Sequence, residues 1–317
     1  MKKLVIGMVI GAFLVAASSV QAATVVEKDN FKYEIKGDIQ IQLRQDPGDD
    51  QDLDLEYDDL EIKNKISYKL NDSLTAFGGL DFGFKNAADK SNTSEDPHLE
   101  EAYIGMNIDD FKIFFGKTDS AGDEFGVAAS LETIVADDCF DEFGAVDGDD
   151  LIGVSGEFAD MVSFLATYEI AAESEKSDMN GEFFDIMVVL DINNFGIGAA
   201  YQSLEAFGST ENTDTWGLQL TFDAGFAEFG ADYSVTDDGD DKDESVWNIA
   251  AIVPYKPFEF GLGFVNLDDD TDDVVGWYAN ATYKFPTAKN VRLFAEISDS
   301  DEDDVDMGYM VGMRIKF

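Results

Sequence analysis

Phe31-Lys32-Tyr33-Glu34-Ile35-Lys36-Gly37-Asp38-Ile39-Gln40-Ile41-Gln42-Leu43 carries an apolar residue or glycine at every odd position and a polar residue at every even one. A period of two sustained over this length is the pattern of a β-strand with one wet face, and helical spacing does not fit it. The same alternation recurs from Leu74 to Phe84, Val162 to Ile170, Phe184 to Ile192, Trp216 to Phe222, Trp277 to Phe285 and Met307 to Phe317. Register is fixed by cost. A one-residue slip would turn Lys36 or Asp38 onto the greasy side, at about 2–4 kcal/mol for a lysine near a bilayer midplane.

The connections alternate in length. Short ones fall near Leu70–Ser73, Asn107–Asp110, Ala159–Asp160, Asn193–Asn194, Ala224–Gly225, Pro254–Pro257 and Pro286–Asn290. Long, Asp-rich ones fall near Gln45–Asp52, Asn86–His98, Thr118–Asp150, Ala171–Gly181, Glu205–Thr213, Asp237–Asp243, Asp268–Asp273 and Ser298–Val305. Seven short turns and eight long loops separate 16 strands, with both chain ends on the short-turn side. That spacing predicts an all-β fold, a 16-stranded antiparallel transmembrane β-barrel. A secreted β-sandwich shares the alternation. Lipid is favoured by three details: apolar faces long enough to cross a roughly 25 Å band, tryptophans near the long-loop ends (Trp216, Trp247, Trp277), and Phe222, Phe285 and Phe317 at the short-turn ends. Sixteen strands enclose more space than side chains fill, so the polar stripe should line a water channel.

The chain has 317 residues with 67 acidic and 21 basic side chains, a formal charge of −46. Nucleic-acid binding, which needs a basic footprint, is excluded. One cysteine (Cys139) and one histidine (His98) rule out an internal disulfide, a thiolate zinc cage and any site needing two imidazoles. Paired carboxylates could serve glycoside hydrolysis, but acids this abundant pair by chance and no nucleophile motif is present, so no enzyme and no cofactor is expected. Lys2 and Lys3 precede an apolar run from Leu4 to Ala17 and a polar stretch ending Val20-Gln21-Ala22, the layout of an export leader over residues 1–22. The run is too short to span a bilayer. The barrel is then expected over 23–317.

Three stretches carry a family resemblance: Leu70-Asn71-Asp72-Ser73-Leu74-Thr75-Ala76-Phe77-Gly78; Ala102-Tyr103-Ile104-Gly105-Met106 followed by Phe115-Gly116-Lys117; and the ending Tyr309-Met310-Val311-Gly312-Met313-Arg314-Ile315-Lys316-Phe317. In that order they resemble the general Gram-negative outer-membrane porins, over essentially the whole mature chain. The resemblance implies a cell outer-membrane channel for passive diffusion of small hydrophilic solutes and ions. It also implies a homotrimer, contact with outer-membrane lipid and lipopolysaccharide, and a terminal Phe read by the outer-membrane assembly machinery.

The longest loop, residues 118–150, holds Phe125, Val127, Leu131, Ile134, Val135, Phe140 and Phe143, more apolar surface than a solvated loop needs. In porins the third loop folds into the lumen and narrows it. By resemblance Asp138-Cys139-Phe140-Asp141-Glu142-Phe143-Gly144 matches the segment whose acids face the constriction, which places Asp138 and Glu142 there, with Asp119, Asp123, Glu124, Glu132 and Asp137 as loop neighbours. On the opposite wall, positions where porins carry basic residues are Glu61, Glu100 and Asp38. Acid facing acid is the arrangement of a cation channel. Lys63, Lys85, Lys117 and Arg44 lie nearby as partial counter-charge.

Inward bases gather toward the short-turn ends: Lys32, Lys36, Lys65, Lys69, Lys284, Arg292, Arg314 and Lys316. The lumen is therefore expected to be polarised along its axis. Acidic runs such as Asp268-Asp269-Asp270-Thr271-Asp272-Asp273 satisfy no EF-hand spacing, and no metal site is assigned. The closest rival is a substrate-specific channel. It needs an aromatic track or dedicated basic site, and the inward aromatics Phe77, Phe114, Tyr278 and Phe294 form no run.

Overall fold

The computed structural model describes residues 23–47, 52–85, 97–132, 135–159, 161–171, 181–206, 209, 212–239, 243–269, 273–302 and 305–317. The leader expected over 1–22 lies outside the described residues, as do Ile134 and the middles of several long loops. Among the described residues no helix is long and apolar enough to cross a membrane, which says nothing of strands.

Strands do the crossing. In chain order they are β1 (Ala23–Lys28), β2 (Phe31–Gln45), β3 (Asp54–Asn71), β4 (Leu74–Gly83), β5 (His98–Ile108), β6 (Phe111–Asp119), β7 (Asp147–Phe158), β8 (Val162–Glu169) and β9 (Glu182–Ile192). The second half holds β10 (Phe195–Glu205), β11 (Thr213–Asp223), β12 (Glu228–Asp237), β13 (Glu244–Tyr255), β14 (Phe258–Asp268), β15 (Asp273–Lys284), β16 (Val291–Ser300) and β17 (Gly308–Lys316). From β2 onward each strand pairs antiparallel with the next, and β17 returns to β2 with Tyr309 opposite Gln45 and Lys316 opposite Asp38. The result is a closed 16-strand barrel with every expected short turn in place.

The parity expected from sequence holds. Ile39, Ile41 and Leu43 are 37–41% exposed, while Gln40 and Gln42 between them are 5% and 1% exposed. Large apolar side chains thus sit on the outside and amides and acids inside, the inverse of a soluble core. Outer-face aromatics pair near both rims: Trp216 with Tyr233 at 6.0 Å toward the long loops, and Phe195 with Phe222 at 4.6 Å toward the short turns. The tight turns at Asp109 and Asn193 take φ of 51° and 56°, which Asp and Asn tolerate better than most residues.

One element was not legible. The reading begins the first strand at Phe31, but β1 precedes it and pairs with the lower part of β2, Ala23 opposite Ile35 and Lys28 opposite Phe31. Ala23-Thr24-Val25-Val26-Glu27-Lys28 has no clean alternation, and all six residues are exposed. Above it, Phe317 exchanges two backbone hydrogen bonds with Gly37, at 2.8 and 2.9 Å. The Phe317 ring lies directly over Gly37, where a Cβ would meet ring carbon at 2.1 Å, so a larger residue there would have to push the ring aside.

Candidate functional site

The segment between β6 and β7 makes its contacts with side chains of the polar, inward parity. It starts with Ser120 N–H donating to the Val146 carbonyl at 2.7 Å. It then takes an anchor from nearly every strand it passes. Ala121 N–H donates to Thr167 Oγ1 on β8 (3.1 Å), and Gly122 N–H to Asp185 Oδ2 on β9 (2.7 Å). Gly126 N–H donates to Gln219 Oε1 on β11 (3.0 Å), Val127 N–H to Asp232 Oδ2 on β12 (2.8 Å), and Ala129 N–H to the Tyr278 hydroxyl on β15 (2.6 Å).

Its far end meets Glu296 on β16. That carboxylate accepts from Leu131 N–H (2.7 Å), Glu132 N–H (3.0 Å), Ser130 Oγ (3.0 Å) and Asn280 Nδ2 (2.9 Å). Arg44 on β2 donates to the Glu132 carbonyl (3.1 Å) and carboxylate (3.4 Å). The returning limb is held by Asn248 Nδ2 to the Asp137 carbonyl (2.5 Å), Cys139 N–H to Ser234 Oγ (2.9 Å), and a two-way clasp of Gln202 on Ala145 (2.7 and 2.8 Å).

Inward residues beneath this segment are apolar where the rest of the lumen is polar. Phe125, Phe140 and Ala121 pack on Met187, Val189 and Ala200; Ala136 and Cys139 pack on Val246 and Val265; Val127 packs on Ile252. This accounts for Phe125, Val127, Val135, Phe140 and Phe143 among the apolar residues that the sequence singles out. It also marks a signal that sequence reasoning missed: apolar residues intruding on the wet parity of β9, β10, β13 and β14 show which arc is covered. The anchors Asp185, Gln202, Asp232, Asn248 and Glu296 lie on that parity too.

Among the described residues no hydrogen bond ties residues 120–146 to the wall formed by β4 and β5. There Glu61, Asp81 and Glu100 place carboxylate oxygens within 4.8 Å of one another. A bulge in β5 makes this possible, because Asp81 faces Glu101 while its neighbour Phe82 faces Leu99, leaving Glu100 as the extra residue. Lys63 enters the group, 2.9 Å from Glu61 and 2.7 Å from Asp81. A divalent cation would have to displace that ammonium, so the group's chemistry is an acid cluster with its own tethered counter-charge. Glu61 and Glu100 therefore stand together on the wall.

Two expectations are corrected in detail. Asp38 does not present a free charge: it is 6% exposed, receives Arg314 Nε on both oxygens at 2.9 Å, and pairs with Lys316 at 2.9 Å. Arg314 also pairs with Asp59, so this lumen base is consumed as well. Asp138 is 1% exposed and caps the short helix α1 (Cys139–Phe143), accepting from Phe140 N–H at 2.7 Å and Asp141 N–H at 3.4 Å. A side chain spent on capping cannot also face open water, and the family position is here a structural one. Glu142 and Asp141, one turn along, are exposed.

Asp119 and Asp123 are also exposed, and Glu124 is half-buried. Enclosure by the surrounding protein, reinforced by neighbouring acids, pushes the Asp123 carboxyl up to about 7 and Glu124 up to about 8. Asp137 is pushed up to about 7 by the same causes, and Glu142, though its surface is open, is raised chiefly by the protein that encloses it. Burial likewise pushes Glu132 up to about 8, with Asp58 adding to it and Arg44 opposing it. Of the expected lumen bases, Lys36, Lys65 and Arg292 form no ion pair among the described residues, whereas Lys32 is held by Glu34 at 2.8 Å and Lys284 by Glu259 at 2.8 Å. The inward aromatics Phe114, Tyr278 and Phe294 are 1–5% exposed, so they offer no track along the lumen.

A closed barrel that is apolar outside and polar inside defines an outer-membrane channel for passive diffusion. The chain belongs to the Gram-negative porin family, whose family model matches residues 11–305. Similar proteins include outer membrane porin protein LC of Enterobacteria phage PA-2, 26% identical over 83% of this chain and 80% of that one. Porin-like protein H of Photobacterium profundum is 25% identical over the full length of both. Among solved structures, OmpT of Vibrio cholerae in its trimer form superposes with a TM-score of 0.76 at 17% identity, covering 91% of this chain and 100% of that one. Salmonella typhi OmpF in complex with daunomycin gives 0.72 at 15% identity, covering 92% and 99%.

Proposed function

We propose that the pore is a weakly selective diffusion channel that favours cations, narrowed by residues 118–150. The observation that carries the reading is the distribution of charge on the two sides of the opening. Asp123 and Glu124 on the loop limb face a wall bearing Glu61, Asp81, Glu100, Glu101 and, at the end of β6, Asp119, with Lys63 as counter-charge. Asp123 lies within electrostatic range of Asp119 and Glu101, and Glu124 of Asp119 and Lys112, which supports placing the two groups opposite each other. Rings of acids admit cations over anions, and charges at the narrowest section keep their effect when salt screens the rest.

Glu142 joins this set from α1, while Asp38 and Asp138 contribute through structure. The assembly is read as a homotrimer through the outer wall of the early strands, supported by the family and by the likeness to trimeric OmpT. The test is a reversal potential across planar bilayers under a potassium chloride gradient. A cation-sided potential, reduced in an Asp123→Asn/Glu124→Gln variant, is expected. An anion-sided potential would refute the charge argument and leave the channel intact.

A further inference from the structure

Below the acid cluster the sign of the same wall reverses. Inward positions along β3, from the long-loop side down, read Asp59, Glu61, Lys63, Lys65, Ser67, Lys69. Lys36 on β2 sits opposite Lys63 in the ladder, one step from Lys65. From the other side comes Lys112, which starts next to the β5–β6 turn and runs back up the wall. Its Nζ lies 4.6 Å from the Phe114 ring centroid, 5.3 Å from Phe77 and 5.7 Å from Tyr103. Such cation–π contacts hold an ammonium in place without neutralising it.

Tyr103 links the two sides. Its ring lies over Gly79, where a Cβ would meet it at 2.5 Å, and Gly79 is the ladder partner of Lys65. Lys65 and Lys112 thus flank one tyrosine ring, and Lys65 is within electrostatic range of both Lys36 and Lys112. None of the three lysines forms an ion pair among the described residues. The acids nearest them have other partners or stand off: Glu34 is held by Lys32 at 2.8 Å, Glu101 accepts from Thr118 Oγ1 at 3.1 Å, and Glu124 belongs to the loop limb. Although Glu34 stands opposite Lys65 in the ladder, three ammonium groups with no ion pair among the described residues, gathered on one wall of a chain with net charge −46, call for a ligand.

We propose that Lys36, Lys65 and Lys112 form a subsite for small multivalent oxyanions, phosphates or polycarboxylates, reached from the short-turn mouth. The acid level above it repels the same solutes, so the subsite is one-sided. This goes beyond the cation preference proposed above: the binding does not depend on it, since a lysine cluster binds anions whichever ion the constriction favours, and only the sidedness rests on the acid level.

The experiment uses the full-length protein in planar bilayers, with pyrophosphate and citrate added to either chamber in turn. Saturable loss of conductance from one chamber only is expected, with at least tenfold more anion needed from the other. Lys65→Gln and Lys112→Met should each weaken block about fivefold, the effect of removing one exposed charge contact in a watery lumen. Lys65→Arg should restore it, and Lys69→Gln, paired with Asp72 at 2.8 Å, should leave it unchanged. Unblocked conductance equal to that of the parent certifies each variant as folded. Pyrophosphate acting alone would assign the site to phosphates, and citrate acting alone to polycarboxylates. Equal block from both chambers, no block by either anion, or block indifferent to both lysine substitutions would overturn the proposal.

Discussion

Glu296→Ala should free the far end of the loop from the wall. In the parent, one fully buried carboxylate accepts from Ser130 Oγ and from the N–H groups of Leu131 and Glu132. Hydrogen bonds to a charged group contribute about 1.5–3 kcal/mol each. At the low end of that range three loop donors hold the tip by about 4.5 kcal/mol, roughly a thousandfold or more in its opening equilibrium. Glu296→Gln keeps one carbonyl acceptor but turns an NH2 group toward backbone donors, so about half of that free energy should be lost. Amide hydrogen exchange in detergent reads the result directly. The Leu131 and Glu132 amides should exchange far faster in the alanine variant, while Gly122 and Ala145, held by Asp185 and Gln202, stay protected. Single-channel records should show added noise from the loosened tip. Unchanged exchange at Leu131 and Glu132 would refute the anchoring argument, and equal acceleration at Gly122 would mean that the loop opens as one unit.

Three other outcomes are expected. Glu142→Gln should shift the reversal potential toward anions, whereas Asp138→Ala should cost about 1 kcal/mol of loop stability through its lost cap and leave selectivity nearly as it was. The raised carboxyls of Asp123, Glu124 and Asp137, near 7 to 8, are charged above that range and neutral below it. Cation preference should therefore decline as pH falls from 8.5 to 6, and a reversal potential flat down to pH 5 would contradict this. The buried Cys139 thiol is pushed up to about 11 by burial, so maleimide should not label the folded protein at pH 8 and should label it after heat denaturation in detergent.

The barrel is legible because lipid and water impose a period of two that each strand must obey by itself. Phe31–Leu43 states its register without reference to any other segment. The lumen is less legible because inward residues answer to partners distant in the chain. Asp38 is neutralised from β17, across 276 positions, and Asp185, Asp232 and Glu296 are acids by composition but anchors by contact. Asp138 shows the same limit locally. Its place in the family pattern points to open water, while the hydrogen bonds of α1 claim it for a cap. Glu100 and Glu61 can be assigned to the inward parity from sequence because both belong to continuous strands, though the bulge that brings Glu100 round to Asp81 leaves no mark in the alternation.

The seam between β17 and β2 behaves as the clasp of a bracelet. Every other junction from β2 onward joins neighbours along the chain, and this one alone fastens residues 309–316 to residues 38–45. Until the last nine-residue strand arrives, the sheet has two raw edges open to foreign strands. A chain trimmed before Gly308 keeps its hairpins as far as β15–β16 and loses its closure. Joining the old ends and cutting at the Asn71–Leu74 turn would merely move the fastening elsewhere.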